Sequence, residues 1–365
     1  MGIKCGIVGL PNVGKSSLFN ILSEGKAEAA NYPFCTIEPN VGVVMVPDPR
    51  LDQLSAINNP EETIPSIVEF VDIAGLVEGA SQGEGLGNKF LANIRETDAI
   101  IHVVRCFEDK NVTHVSDEIN PVNDFEIINT ELLLADIQTV ERNLERAGKQ
   151  SKAGDKAMLA RHAFLEALLE HLNHDQPART FTVGKDQESI MKELSLLTKK
   201  PMLCLANIDE ASIVEESEGL QALREKVKSV EDAELLKLCV SLELEISTLE
   251  PSEMKEFLDE LNLEEPAINK LIRASYDLLN LQTFFTAGPK EVRAWPVRKQ
   301  SLAPQAAGTI HTDFERGFIK AEVIGYEDYI ENNGEQGAKS AGKLRLEGKD
   351  YMVQEGDVMH FKFNV

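Results

Sequence analysis

The chain has 365 residues, 42% of them hydrophobic; at roughly 100–200 residues per domain this predicts two or three domains with substantial cores. Its 61 acidic and 37 basic residues give a formal net charge of -24, which excludes a surface that attracts nucleic acid or anionic membrane as a whole and leaves room only for a local basic face. Its 5 cysteines lack zinc or redox spacing and no apolar run is long enough to span a bilayer, so a reducing cytoplasm and no membrane partner are expected.

The N-terminus reads as a core strand, Ile3-Lys4-Cys5-Gly6-Ile7-Val8, and not as a signal peptide. Ser17-Leu18-Phe19-Asn20-Ile21-Leu22 reads as the first turns of a helix. Between them, Gly9-Leu10-Pro11-Asn12-Val13-Gly14-Lys15-Ser16 matches G-x-x-x-x-G-K-[ST] at every fixed position. A strand, this loop and a helix N-terminus make an anion site, because backbone N–H groups and the positive helix end converge on phosphate. Asn12, Val13, Gly14, Lys15, Ser16 and Ser17 are therefore the expected nucleotide-binding residues. Lys15 would reach the outer phosphates as a catalytic charge, and the Ser16 hydroxyl would bind Mg²⁺.

Asn31 to Asn40 contains two prolines and reads as a loop, where a first switch segment would lie. Its Thr36 is a candidate Mg²⁺ ligand. Val41 to Val46 is the next strand, Pro47-Asp48-Pro49-Arg50 ends it, and a helix starts near Leu51. Ser66 to Val71 is a buried strand that delivers Asp72-Ile73-Ala74-Gly75. There Asp72 would hold the Mg²⁺ hydration shell and the Gly75 N–H would meet the γ-phosphate. Leu76 stands where Ras-like enzymes carry the glutamine that orients the attacking water. Leucine cannot hydrogen-bond a water, so turnover is slow or another group supplies that function. The glycine-dense stretch from Glu78 to Lys89 reads as a second switch.

Asp98 to Phe107 is a strand in which His102 reads as a core or edge residue. His114 lies in a polar stretch beyond its carboxyl end, where open α/β sheets bind ligands. It is either a solvated loop histidine or a group that folds over the site and positions water. From about Ile127, Leu133, Ile137, Val140 and Leu144 recur at helical spacing; after a polar break at Gly148 to Gly154, Leu165, Leu168 and Leu172 carry a second stripe. This predicts an antiparallel helical hairpin, either a solvated face or a docking arm. Strand character returns at Pro201 to Ala206, followed by Asn207-Ile208-Asp209-Glu210. GTP-binding domains carry N-K-x-D here, with the aspartate accepting both guanine N–H donors. Isoleucine for lysine and glutamate for aspartate put guanine specificity in doubt: adenine presents an acceptor at N1, and a displaced Glu210, with Asn207 and backbone groups reading the N6 amine, tolerates it better. Val240-Ser241-Leu242-Glu243 is expected to supply the last base-contacting loop, with Ser241 beside the base.

Phe34-Cys35-Thr36-Ile37-Glu38-Pro39, Asp72-Ile73-Ala74-Gly75-Leu76, Gly83-Glu84-Gly85-Leu86-Gly87-Asn88-Lys89-Phe90 and Asn207-x-x-Glu210 together resemble the YchF family, the Obg-like ATPases among the translation-factor-related GTPases, over essentially the whole chain. The resemblance implies an ATPase on a G-domain fold that accepts GTP less well, and an association with ribosomes. It implies that Leu76 replaces the catalytic glutamine and that His114 matches a histidine proposed to assist hydrolysis. It also implies that Asn12 matches a potassium ligand, so that K⁺ would do the work of an arginine finger. Asp209 departs from the family pattern, which has a small or amide residue there.

From about Leu281 the chain changes character. Leu281 to Ala287, Ala307 to Phe314, Lys320 to Ile324 and Val358 to Phe363 read as strands, with short turns and one helix, and resemble a TGS domain, a β-grasp module. His311 and Asp313 read as turn and edge residues. The expected fold is thus α/β: a P-loop NTPase G domain (1–126 and 199–280) with an inserted antiparallel helical hairpin (127–198) and a C-terminal β-grasp TGS domain (281–365). Its expected function is an ATP-hydrolysing switch on the ribosome, with RNA as a further candidate partner. The alternatives are a slow-turnover, nucleotide-gated RNA- or ribosome-binding adaptor and an ordinary GTPase.

Overall fold

The computed structural model describes residues 3–24, 40–73, 86–109, 119–151, 155–231 and 235–364. The first half runs β1 (Lys4–Val8), α1 (Lys15–Glu24), β2 (Val41–Met45), α2 (Pro49–Asn58), β3 (Glu62–Ile64), β4 (Ile67–Asp72), α3 (Leu86–Arg95), β5 (Ala99–Cys106), α4 (Pro121–Ser151), α5 (Lys156–Asn173) and α6 (Glu188–Leu194). It continues with β6 (Met202–Ile208), α7 (Ala211–Val214), α8 (Glu218–Glu231), β7 (Leu235–Leu238), α9 (Val240–Ser247), α10 (Pro251–Glu260) and α11 (Ala267–Leu278). The last part is β8 (Leu281–Ala287), β9 (Glu291–Arg298), α12 (Ala303–Ile310), α13 (Thr312–Arg316), β10 (Phe318–Ile324), α14 (Tyr326–Glu331), α15 (Glu335–Ser340), β11 (Arg345–Glu347) and β12 (Val358–Phe363). The chain divides into two compact units, Met1–Gly42 with Glu69–Leu271, and Val43–Val68 with Ile272–Val365.

The first unit carries strands in the order β4-β1-β5-β6-β7. β1 pairs in parallel with β4 on one side and β5 on the other, and β5, β6 and β7 continue in parallel. β5 and β6 are buried along their whole length, as their nearly continuous apolar runs require of strands covered on both faces. The chain leaves β1 toward one side and later returns to the other. The crevice at the carboxyl end of β1 is therefore a topological switch point, where such sheets bind ligands.

The inserted hairpin has its own core. Leu133, Val140 and Ala147 of α4 pack with Phe164, Leu165, Leu168 and Leu172 of α5, and with Met191, Leu194 and Leu196 beyond it. α4 starts at Pro121, earlier than the stripe from Ile127 suggests, because proline fits the first helical position. It also runs through Gly148, where a break was expected, to Ser151. A helix tolerates an isolated glycine at a cost of only about 1 kcal/mol. Asp155 caps α5 by accepting from the Ala157 N–H at 2.9 Å. The buried Asp136 carboxylate accepts from the Leu197 N–H (2.8 Å), the Thr198 N–H (2.8 Å) and the Thr198 hydroxyl (2.6 Å). It thereby pins α4 to the segment that leads into β6.

The second unit carries a sheet of order β11-β10-β12-β8-β9-β3. β8 and β9 form an antiparallel hairpin, β12 pairs with β8 in parallel, and β10 pairs antiparallel with β12 and β11. With α12 packed on one face, this is the expected β-grasp arrangement. α2 packs Leu51 and Leu54 against Phe285, Val292 and Ala294 on the other face, and β3 pairs in parallel with β9. Residues 307–314, expected as a strand, are instead the end of α12 and the start of α13. Pro304 stands in the first turn of α12, and Ala303, Ala306 and Ala307 are fully buried at helical spacing against the sheet. Four helices, α12 to α15, stand where one was expected. His311 caps α13 by accepting from the Asp313 N–H at 3.2 Å, which gives it a structural place.

Candidate functional site

The loop between β1 and α1 is shaped by close approaches. A Cβ at Gly9 would stand 2.4 Å from the Val103 carbonyl oxygen, and one at Gly14 2.4 Å from Asn207 Nδ2. Gly14 also holds φ +96, a conformation side chains resist. Asn12 has φ 59, in the left-handed region where asparagine is enriched. This gives Asn12 a backbone reason for its place, beside any role as an ion ligand.

Lys15 is 7% exposed. Its ammonium donates to the Leu10 carbonyl at 2.6 Å, closing the loop on itself. Burial lowers its pKa to about 8, and the Asp72 carboxylate acts the other way. Asp72, half-buried at the end of β4, has its own pKa raised by burial and lowered by Lys15. These two residues, far apart in sequence, thus lie in each other's field. Ser16 and Ser17 are exposed on the first turn of α1, where the helix N-terminus favours an anion.

Asn207, at the end of β6, is buried. Its Nδ2 donates to the Val13 carbonyl at 2.9 Å and its Oδ1 accepts from the Val240 N–H at 3.2 Å. It therefore ties the phosphate loop to the start of α9, a strut that the base-reading expectation did not foresee. Ile208 is buried in β6, whereas Glu210 and Ser241 are exposed. The Ser241 hydroxyl lies 3.3 Å from Cys239 Sγ. Glu243, two residues on, is buried and accepts from the Ala267 and Ile268 N–H groups at 2.8 and 3.1 Å, capping α11. Thr36, Gly75, Leu76 and His114 lie outside the described residues, as does most of both expected switch segments; the second runs into the start of α3 at Leu86.

Two buried groups on β5 complete the surroundings. His102 stacks on Phe125 of α4 with ring centroids 5.2 Å apart. Burial, with Lys15 and Arg179 adding to it, pushes its pKa down to about 3, so it stays neutral as a core residue. Arg105 is buried at the carboxyl end of β5, donates to the Phe107 and Asp109 carbonyls at 3.3 Å, and lies over the Phe107 ring. It orders the start of the β5–α4 connection. Arg105 has no motif to announce it, and an arginine inside an apolar strand is the signal that marks such a group.

The arrangement can cradle a polyphosphate at the loop and α1, neutralise it with Lys15, and offer hard oxygen donors from Ser16 and Asp72 to a divalent cation. No helix among the described residues is long and apolar enough to cross a membrane.

Comparison with known proteins fits this geometry. Residues 4–141 match a family described as 50S ribosome-binding GTPase. Residues 281–364 match the C-terminal family of YchF GTPases, described as a protein of unknown function. The chain is 57% identical over 365 residues to a Haemophilus ducreyi protein named ribosome-binding ATPase YchF, covering all of both chains. It is 52% identical over 367 residues to the Bacillus subtilis protein of that name, again covering all of both. A solved structure, the Schizosaccharomyces pombe YchF GTPase, superposes with TM-score 0.89 at 36% identity, covering 99% of this chain and 98% of that one. The bacterial relatives are named for ATP and the yeast structure for GTP.

Proposed function

The chain belongs to the YchF family, and from that premise we propose that it is an ATP-driven switch: it hydrolyses ATP to ADP and phosphate with low intrinsic turnover and docks on the ribosome according to the nucleotide it holds. The name of its bacterial relatives, ribosome-binding ATPase, supports ATP hydrolysis and ribosome binding. The observation that carries it is the glycine-shaped loop at the switch point of the sheet, which buries Lys15 against the Leu10 carbonyl at the N-terminus of α1.

In this reading Lys15 meets the outer phosphates and the N–H groups from Val13 to Ser17 surround them. Mg²⁺ would be held by Ser16 and Asp72, with Thr36 as a further ligand, since this hard cation takes oxygen donors. When bound, the ion would supply positive charge against the phosphate oxygens. Asn12 is the proposed K⁺ ligand and His114 the group that aligns the water. Gly75 offers its N–H to the γ-phosphate. Asn207 keeps the loop and the base-side segment in register, and Ile208 and Ser241 flank the base, with Glu210 beside it and its carboxylate displaced from the base edge.

Phosphate release from ATP and from GTP, with Mg²⁺ and K⁺ present, tests the reading. ATP is expected to turn over faster, and Lys15→Ala to lower ATP affinity at least about 100-fold, as loss of a buried phosphate–cation pair would. Faster turnover of GTP would return the chain to the ordinary GTPases. Release from neither, with ribosome binding intact, would favour a nucleotide-gated adaptor.

A further inference from the structure

β6 is followed by two adjacent carboxylates, and the structure uses them differently. Asp209 is half-buried and its Oδ1 accepts from the Ser212 N–H at 2.9 Å. Ser212 is itself buried. Glu210 holds helical backbone angles, φ -61 and ψ -35, at the head of α7, and its side chain is exposed with no capping bond. The turn closes through the Ile213 N–H on the Glu210 carbonyl at 3.2 Å. Asp209 is thus the side chain that caps this turn, and Glu210 is carried by it.

We infer that Asp209 is a specificity-positioning residue: by locking the turn through Ser212, it holds the Glu210 carboxylate away from the base edge. The inference rests on the ATP-preferring reading above. Guanine presents two N–H donors, at N1 and N2, that a carboxylate in the base plane accepts together. Adenine presents a lone pair at N1, which a carboxylate there repels. A turn freed to bring Glu210 into that plane therefore strengthens GTP binding and weakens ATP binding. A locked turn does the reverse. The cap needs only a side-chain oxygen at this distance, so aspartate, asparagine and serine serve and alanine does not.

The test is equilibrium binding of MgATP and MgGTP to the full chain and to Asp209→Ala, Asp209→Asn and Asp209→Ser. A lost cap worth about 1 kcal/mol corresponds to roughly a fivefold change. The ATP-over-GTP preference is therefore expected to fall about fivefold or more in Asp209→Ala and to survive in Asp209→Asn and Asp209→Ser. An unchanged preference in Asp209→Ala overturns the inference. An equal fall in Asp209→Asn also overturns it, because the charge and not the cap would then be responsible. Equal binding of ATP and GTP by the unsubstituted chain would sink the ATP-preferring reading first, and is seen before any variant is made.

Discussion

At Lys15 burial works against charge, and the conflict has consequences that depend on pH. The folded, nucleotide-free protein loses this proton near pH 8, whereas an unfolded chain keeps it to about 10.5. Between these values the unfolded state binds more protons, so the Lys15 contribution to stability rises with pH; below about 8 the burial penalty is fully present. Nucleotide binding needs the ammonium. ATP affinity is therefore expected to fall as pH rises from 7 to 9.5, with proton uptake on binding near pH 8, which calorimetry in buffers of different ionisation enthalpy reads directly. Lys15→Met is expected to abolish ATP binding yet stabilise the nucleotide-free protein at pH 7 by about 2 kcal/mol, the burial penalty less one hydrogen bond. His102 carries a second pH term. Its folded pKa of about 3 lies below its ordinary 6.5, so the unfolded state binds more protons between them and stability falls as pH drops through that window. His102→Phe, which keeps a ring on Phe125, is expected to flatten the loss between pH 6.5 and 4 in urea unfolding.

At the scale of elements, what the sequence disclosed follows from the strength of the local pattern. β1 and the loop after it were legible because glycine spacing and an apolar strand coincide. β5 and β6 were legible as near-continuous apolar runs, and α4 and α5 by their leucine stripes. α12 was not, because Ala303, Ala306 and Ala307 are too small to draw a conspicuous stripe, and Thr309-Ile310 carries β-branched residues. β3 was beyond reach, because three residues without alternation pair only by courtesy of β9. Asp136 and Asn207 were equally opaque in their roles, since each acts through partners distant in sequence. Their substitutions distinguish the two roles. Asp136→Ala strips acceptors from three buried donors and is expected to cost about 3 kcal/mol or more in chemical unfolding, with nucleotide affinity of the folded protein nearly unchanged. Asn207→Ala unpairs the Val13 carbonyl and the Val240 N–H, and is expected to lower ATP affinity about tenfold or more with a stability loss of about 1–3 kcal/mol.

At the scale of the molecule, the second unit is assembled from two distant segments. Val43–Val68 joins Ile272–Val365, because Leu51 and Leu54 of α2 bury against Phe285 and Val292 and β3 extends the sheet. Nothing in the local sequence of 43–68 announces this, since a strand, a helix and a short strand would suit a nucleotide domain equally well. The formal net charge of -24 confines any approach to ribosomal RNA to a local patch, and makes that approach sensitive to salt. The most direct test of the switch is ribosome affinity measured at fixed salt with the chain loaded with a non-hydrolysable ATP analogue and, in parallel, with ADP. A switch driven by the γ-phosphate predicts affinities that differ at least about tenfold, a coupling of about 1.4 kcal/mol. Equal affinities in the two states would contradict it.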